Sequence, residues 1–448
     1  MQELTGIAEV PLARPRAPSR LGVHLLAILP LADVVLAQAQ ARLDLAVGPL
    51  SLAQAFHGAV LVLLLAALVS HWTRPGKSGQ LPFSAAENGN CPDSPSARPV
   101  AMAAGFLAAC VILSAAVRAA GGRWLLEDFV SDLKVLYWLA AVAACMVLCR
   151  GPADYRAVLA GLAAAGTYAA ASVIAVQCLG IEGLSPYEGV DASAGGLNTA
   201  KGLGGILAAG GLVWVWLTRY RRPWLGAAGF ALCYVALAMT YQRAGLVAGC
   251  AAVLWLAAWR LFCAGRGPVG EWAWRPLVLC LVPFLVLVLV LGTGDLAKRW
   301  SDLGDTSKAG SGRLAFWQEA GSIYGRADWT EKSAGIGYSR LLDAMDAGYG
   351  ARIHTHSDVT DALVIYGALG LAGWLAVLLA VGRMALRGGL GRPAAAAGVA
   401  VFLVMALECA FTGQMFGPHV MSFYLLAICG VCLGDESQRA ARPVTIRP

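Results

Sequence analysis

The sequence predicts an all-α polytopic membrane protein with about twelve transmembrane helices, and three observations predict it. Of its 448 residues 58% are hydrophobic and 14% charged, whereas soluble domains are roughly 45–50% apolar and about 25% charged. The apolar residues gather in runs close to the ~17–25 residues with which a helix crosses the hydrocarbon. Arg and Lys recur in every second loop, the pattern of cytoplasmic loops in multi-pass proteins. The runs lack the apolar–polar alternation of barrel strands, so helices are the spanning structure that remains.

Taken in order, residues 1–20 form a polar segment expected in the cytoplasm. The first apolar run has no small-residue cleavage site at its end, so it is expected to stay in the mature chain as a span. Nine runs fill residues 21–291: Leu21–Gln38, Ser51–His71, Val100–Ala119, Leu133–Leu148, Ala157–Leu179, Gly202–Leu217, Leu225–Thr240, Ala244–Phe262 and Pro276–Leu291. A Pro-, Gly-, Ser- and Asn-rich linker runs from Arg74 to Pro99. A large loop follows over residues 292–361. Three more runs, Ala362–Val381, Ala394–Phe411 and Val420–Leu433, fill residues 362–433, and residues 434–448 form a polar tail.

Basic residues cluster at Arg14 to Arg20, Arg74 and Lys77, Arg150 and Arg156, Arg219 to Arg222, Arg260 and Arg266, Arg383 to Arg392, and Arg439 to Arg447. These loops are assigned to the cytoplasm. Both termini then lie inside, which requires an even number of spans. The net charge of +7 is thereby a consequence of topology, and no nucleic-acid partner is expected. The twelve cysteines are scattered mostly within spans, where they behave as small apolar residues. Cys429 and Cys432 form a C-x-x-C pair with no second pair and no nearby His, and the six histidines offer no zinc-like spacing. No metal and no cofactor are expected.

The loop at 292–361 faces the opposite, outer side. Its aromatic and bulky apolar content argues for ordered structure, with Leu314, Phe316, Trp317, Ala320 and Ile323 on one face of a surface helix. On the same side, Lys134, Lys201 and Arg243 stand at the outer ends of the fourth, sixth and eighth spans, where the orientation rule does not favour cations. Ionisable groups so placed mark a functional site.

Cations at an outer leaflet suit a lipid-linked phosphate or pyrophosphate, to which Arg offers a planar fork and Lys a point charge. Where pyrophosphate leaves in a glycosyl transfer, the same cations stabilise the charge that develops on it. The attacking hydroxyl then needs a base. His356 is the candidate, with His354 its rival and Arg352 an auxiliary group. Neighbouring cations and the N-terminus of the following helix disfavour the imidazolium and keep a neutral ring available.

The stretch His356-Ser-Asp-Val-Thr-Asp-Ala-Leu-Val-Ile-Tyr-Gly367-Ala-Leu-Gly370 resembles the bacterial O-antigen polymerase and O-antigen ligase superfamily, in which a His, usually followed by Asn, precedes a span with two glycines at this spacing. Ser357 stands where Asn is usual. Gly312-Arg313-Leu314 with Trp317, Gly335-Ile-Gly337, Gln242-Arg243-Ala244, and Asn198 before Lys201 are further points of similarity, and the resemblance covers roughly Lys134 to Gly370.

The resemblance implies a GT-C-like fold and a metal-independent, inverting glycosyltransferase on the periplasmic side of the inner membrane. Its donor would be an undecaprenyl-pyrophosphate-linked glycan, and its acceptor another lipid-linked glycan or lipid A-core. A chain-length regulator is an implied partner. It also implies pyrophosphate recognition by Arg243 with Lys134 and Arg313, and a base role for His356. Lys201 stands in for an Arg that the family places upstream. A lipid-linked oligosaccharide flippase is the competing class, because transporters also need spans and intramembrane cations.

Overall fold

The structure, a computed structural model, describes residues 20–43, 46–47, 50–72, 96–179, 200–219, 222–240, 242–263, 313–350, 352–387 and 389–440. Outside these fall the predicted run Pro276–Leu291, most of the Arg74–Pro99 linker, the first part of the large loop and the last residues of the tail.

The helices are α1 (Arg20–Leu43), α2 (Leu52–Trp72), α3 (Ala97–Ala120), α4 (Leu126–Leu148), α5 (Pro152–Leu179), α6 (Ala200–Thr218), α7 (Pro223–Met239) and α8 (Arg243–Phe262). After the undescribed stretch come α9 (Arg313–Arg326), α10 (Trp329–Ala334), α11 (Tyr338–Tyr349), α12 (Asp358–Leu386), α13 (Pro393–Phe411) and α14 (Pro418–Ala440). A two-residue antiparallel pair, β1 (Ala46–Val47) with β2 (Leu50–Ser51), joins α1 to α2. Among the described residues eight helices are long and apolar enough to cross a membrane, and shorter apolar stretches occupy Gly22–Leu36, Gly202–Thr218 and Pro223–Met239. Helices α4, α5, α6 and α14 form the middle of the bundle, where Trp138, Tyr137, Phe423 and Tyr424 are fully buried.

Three helices begin four or more residues earlier than their apolar runs, among them α5 at Pro152 with Asp154 in its first turn. Helix α4 starts at Leu126 and α12 at Asp358, because acids occupy their first turns: Glu127 and Asp128 in α4, Asp358 and Asp361 in α12. Carboxylates there favour a helix by facing its positive end. Lys134 consequently lies well inside α4 rather than at its start.

The three short helices α9, α10 and α11 make a cap over one end of the bundle. Phe316, Ala320 and Ile323 of α9 are buried and Trp317 is partly buried, as the predicted apolar face requires. Leu314, counted on that face, is instead exposed. Helix α10 is closed at its start by a capping box: Glu331 N donates to Asp328 Oδ1 (2.8 Å) and Asp328 N to Glu331 Oε2 (3.3 Å). Helix α11 has no side-chain cap of its own. Asp128 of α4 supplies it, with Oδ1 accepting from Tyr338 N (2.6 Å) and Ser339 N (3.2 Å), and Oδ2 from Ser339 Oγ (2.7 Å). Glu331 ties α10 to Arg123 (2.8 Å) and to Arg340. The hydrogen bond from Arg340 holds its carboxyl below the usual carboxylate range.

The cap is also stitched to α12 by backbone. At Gly367 (φ 71°, ψ −169°) α12 is interrupted. Carbonyls released by the break accept from the cap, Val364 O from Ile336 N (3.0 Å) and Ile365 O from Gly337 N (3.2 Å). Gly335 and Gly367 meet there. A Cβ on Gly367 would lie 2.3 Å from Ser333 O and 2.6 Å from Gly335 N, and one on Gly335 would lie 2.0 Å from Ile365 O. Left-handed φ and close backbone approach together require glycine at both. Gly367→Ala is expected to cost about 3 kcal/mol or more through strain and overpacking, seen as a lowered melting midpoint in detergent. Gly105→Ala, where an added Cβ meets nothing within 4 Å, should leave the midpoint in place.

Candidate active site

The turn that leads into α12 carries both candidate histidines. Asp361, in the first turns of that helix and fully buried, reaches back over the turn. Its Oδ1 accepts from Thr355 N (3.0 Å) and Thr355 Oγ1 (2.7 Å), and its Oδ2 lies 2.9 Å from His354 Nδ1. His354 Nε2 in turn lies 3.1 Å from His356 Nδ1. The sequence therefore brings three side chains into a line, Asp361, His354 and His356.

His356 has φ +58°, the sole non-glycine residue with positive φ among the described residues. For a residue with a Cβ this conformation is costly and persists only where its surroundings impose it. Those surroundings are visible. Trp317 Nε1 of α9 donates to Thr355 O (3.1 Å), and Phe316 of α9 sets its ring edge-on to His356 at 5.9 Å. Gly413, beyond α13, passes so close that a Cβ there would lie 3.0 Å from His356 C and 3.1 Å from His354 Cε1.

A group of charges stands at the same end. Arg243 opens α8 and Arg313 opens α9. Burial pushes the Arg313 guanidinium down, the Glu408 carboxylate pulls it up, and Arg243 pushes it down again; the three groups therefore share one electrostatic neighbourhood. Glu408, near the end of α13, is fully buried. Its Oε2 accepts from Thr412 Oγ1 (2.7 Å) and Gln414 Nε2 (3.3 Å), while its Oε1 has no hydrogen-bond partner among the described residues.

Other candidates are less closely tied to this end. Lys134 is half-buried in α4, and no described carboxylate pairs with it. Lys201 occupies the first turn of α6, with its side chain outside the described positions. Arg352 turns away to Glu127 (3.0 Å) and Asp343 (2.7 Å) on the exposed side of the cap. Among the described residues no group of three or more His, Cys, Asp or Glu is placed to hold a metal ion.

Glu408 and Asp361 were not singled out as site residues by the sequence reading. A signal existed for the first: Glu408 interrupts the apolar run Ala394–Phe411, and an ionisable group within a span is a functional flag whichever its sign. Asp361 looks like an ordinary first-turn acid until the turn before it is seen folded back onto its carboxylate.

The described helices and this end of the bundle define a multi-pass membrane protein with a histidine pair and paired arginines gathered at one end. Residues 228–375 match the family model described as O-Antigen ligase, which supports membership of the O-antigen ligase/polymerase family. No curated protein matches it. The matched segment contains Arg243, Arg313, His354, His356, Asp361 and Gly367; Lys134, Lys201 and Glu408 lie outside it. Membership implies a glycan-transferring enzyme of the ligase/polymerase type that works on lipid-linked glycans.

Proposed function

We propose that the chain moves an undecaprenyl-pyrophosphate-linked glycan onto an acceptor sugar at the periplasmic face of the inner membrane, in surface-polysaccharide biosynthesis. The observation that carries this reading is the strained His356, braced through its Nδ1 at the same end of the bundle as Arg243 and Arg313. In the reaction the acceptor hydroxyl gives its proton to His356. Its oxygen bonds to the anomeric carbon of the donor, and the bond from that carbon to the pyrophosphate oxygen breaks. A single displacement of this kind inverts the anomeric centre. Polyprenyl pyrophosphate leaves, and the charge that grows on it is met by Arg243 and Arg313, with Lys134 and Lys201 completing the cationic surface. Buried guanidinium groups stabilise such charge far better than water-exposed ones. No step in this scheme calls on a metal.

The orientation rests on the basic loops, since Arg150, Arg219, Arg222, Arg383, Arg387 and Arg392 lie at the helix ends opposite the cap. A flippase would share one feature, the interrupted helix α12. Here, however, the break is bonded to Ile336 and Gly337 of the cap, which fixes it in place rather than leaving it to hinge.

Reconstituted protein given a synthetic polyprenyl-pyrophosphate glycan tests the reading. A lengthened lipid-linked glycan identifies a polymerase, and a glycan joined to added lipid A-core identifies a ligase; in either, Arg243→Ala is expected to lower turnover and weaken donor use. Movement of unaltered lipid-linked glycan across the vesicle membrane, without a new glycosidic bond, would overturn it.

A further inference from the structure

We infer that Asp361 and His354 are positioning residues that act through His356, fixing which of its nitrogens carries the lone pair and receiving the charge when it takes a proton. This rests on the base role proposed for His356 and adds to it a directed proton path.

Hydrogen-bond bookkeeping sets the direction. Asp361 Oδ1 accepts from two donors, Thr355 N and Thr355 Oγ1, and its Oδ2 faces His354 Nδ1 across 2.9 Å; with Asp361 as the carboxylate, Oδ2 is the acceptor and His354 Nδ1 carries the proton. The His356 amide lies 3.4 Å from the same nitrogen, too far to compete with an ionic contact. With its proton on Nδ1, neutral His354 presents an acceptor at Nε2, and the hydrogen bond over 3.1 Å then places the His356 proton on Nδ1. The lone pair of His356 is thereby on Nε2. Both nitrogens of His354 are engaged within the line, Nδ1 with Asp361 and Nε2 with His356, so His354 acts through His356.

The path also balances. A proton from the acceptor hydroxyl goes to His356 Nε2, the His356 Nδ1 proton shifts to His354 Nε2, and the positive charge comes to rest on His354 against the Asp361 carboxylate. This moves the charge off the ring nearest the substrate. His354 is 23% exposed in its side chain, so its proton has a route to water after the product leaves. Around this line stand Asp358 on α12 and Tyr338 on α11, both in electrostatic contact with Asp361; α9 presents Phe316 to His356 and Trp317 to Thr355.

The full-length protein in nanodiscs, with a polyprenyl-pyrophosphate glycan and acceptor, distinguishes the outcomes. An amide in Asp361→Asn donates to His354 Nδ1 and reverses every bond in the line, which puts the His356 proton on Nε2. Its kcat is expected to fall about 100-fold or more with donor KM changed less than about threefold, the scale of a lost base. In residual activity the acid limb of kcat/KM should move to lower pH, because the carboxylate that favours the imidazolium is gone. His354→Ala, which leaves Asp361 and His356 in place, should lose a similar factor. Either change added to His356→Ala should cost nothing further. Full kcat in both single variants, with His356→Ala inactive, would overturn the relay and leave the base standing; full activity in His356→Ala would overturn the reading beneath it. Losses that multiply with His356→Ala, or an unmoved acid limb, would assign Asp361 a merely structural role and overturn the relay.

Discussion

Replacing His356 by alanine is expected to lower glycan transfer by about 100- to 10,000-fold, the usual range for removal of a positioned general base. The loss should appear in kcat, with donor KM nearly unchanged, because the ring takes a proton in the transition state and the pyrophosphate is held elsewhere, by Arg243 and Arg313. Alanine keeps the Cβ that makes φ +58° costly, so truncation leaves the backbone strain as it was and the melting midpoint is expected to move little. Single-turnover rates with labelled donor, beside a melt of the same preparation, check both halves. A rate within a fewfold of the unaltered protein would remove His356 from the chemistry. His356→Asn should be equally inactive, since an amide holds no usable base at neutral pH.

Much of this arrangement is legible in the amino-acid sequence. The apolar runs mark the helices because a lipid-exposed backbone has no alternative pairing, and eleven of the runs coincide with described helices. The glycine spacing Gly335, Gly337, Gly367 and Gly370 signals that backbones meet, although not that the cap fastens onto a broken helix. Less legible is whatever depends on a polar group within an apolar stretch. Asp128 and Asp132 do not look like part of the fourth span, because their partner Arg118 sits on another helix. Glu408 is one letter in a run of apolar ones, and its significance comes from Arg313, which is remote in sequence. The pairing of His354 with His356 requires a left-handed residue that no local pattern announces. Periodicity records which face is greasy; it does not record which charges answer one another across helices.

The second large effect follows from that hidden pairing. Arg118 of α3 is nearly fully buried and donates through Nη1 to Asp128 Oδ1 (2.8 Å), through Nη2 to both oxygens of Asp132 (3.0 Å each), and through Nε to Ser114 O (3.2 Å). Arg118→Leu would fill much of the space and leave two buried carboxylates without their cation, which costs about 3–5 kcal/mol by analogy with other broken buried pairs. The two acids should not suffer alike. Asp128 keeps donors from Tyr338, Ser339 and Leu125, whereas Asp132 keeps the Trp124 indole at 3.2 Å and the neighbouring Tyr366 hydroxyl. Asp132→Asn added to Arg118→Leu should therefore recover a larger share of the lost midpoint than Asp128→Asn, which also removes an acceptor from the start of α11. Because Asp128 holds α11 to the bundle, limited proteolysis of Arg118→Leu should cut first within the cap, before the helices beneath it. Wild-type protection of the cap in this variant would mean that the bonds Asp128 keeps to Tyr338 and Ser339, with the backbone bonds at Gly367, are enough to hold it.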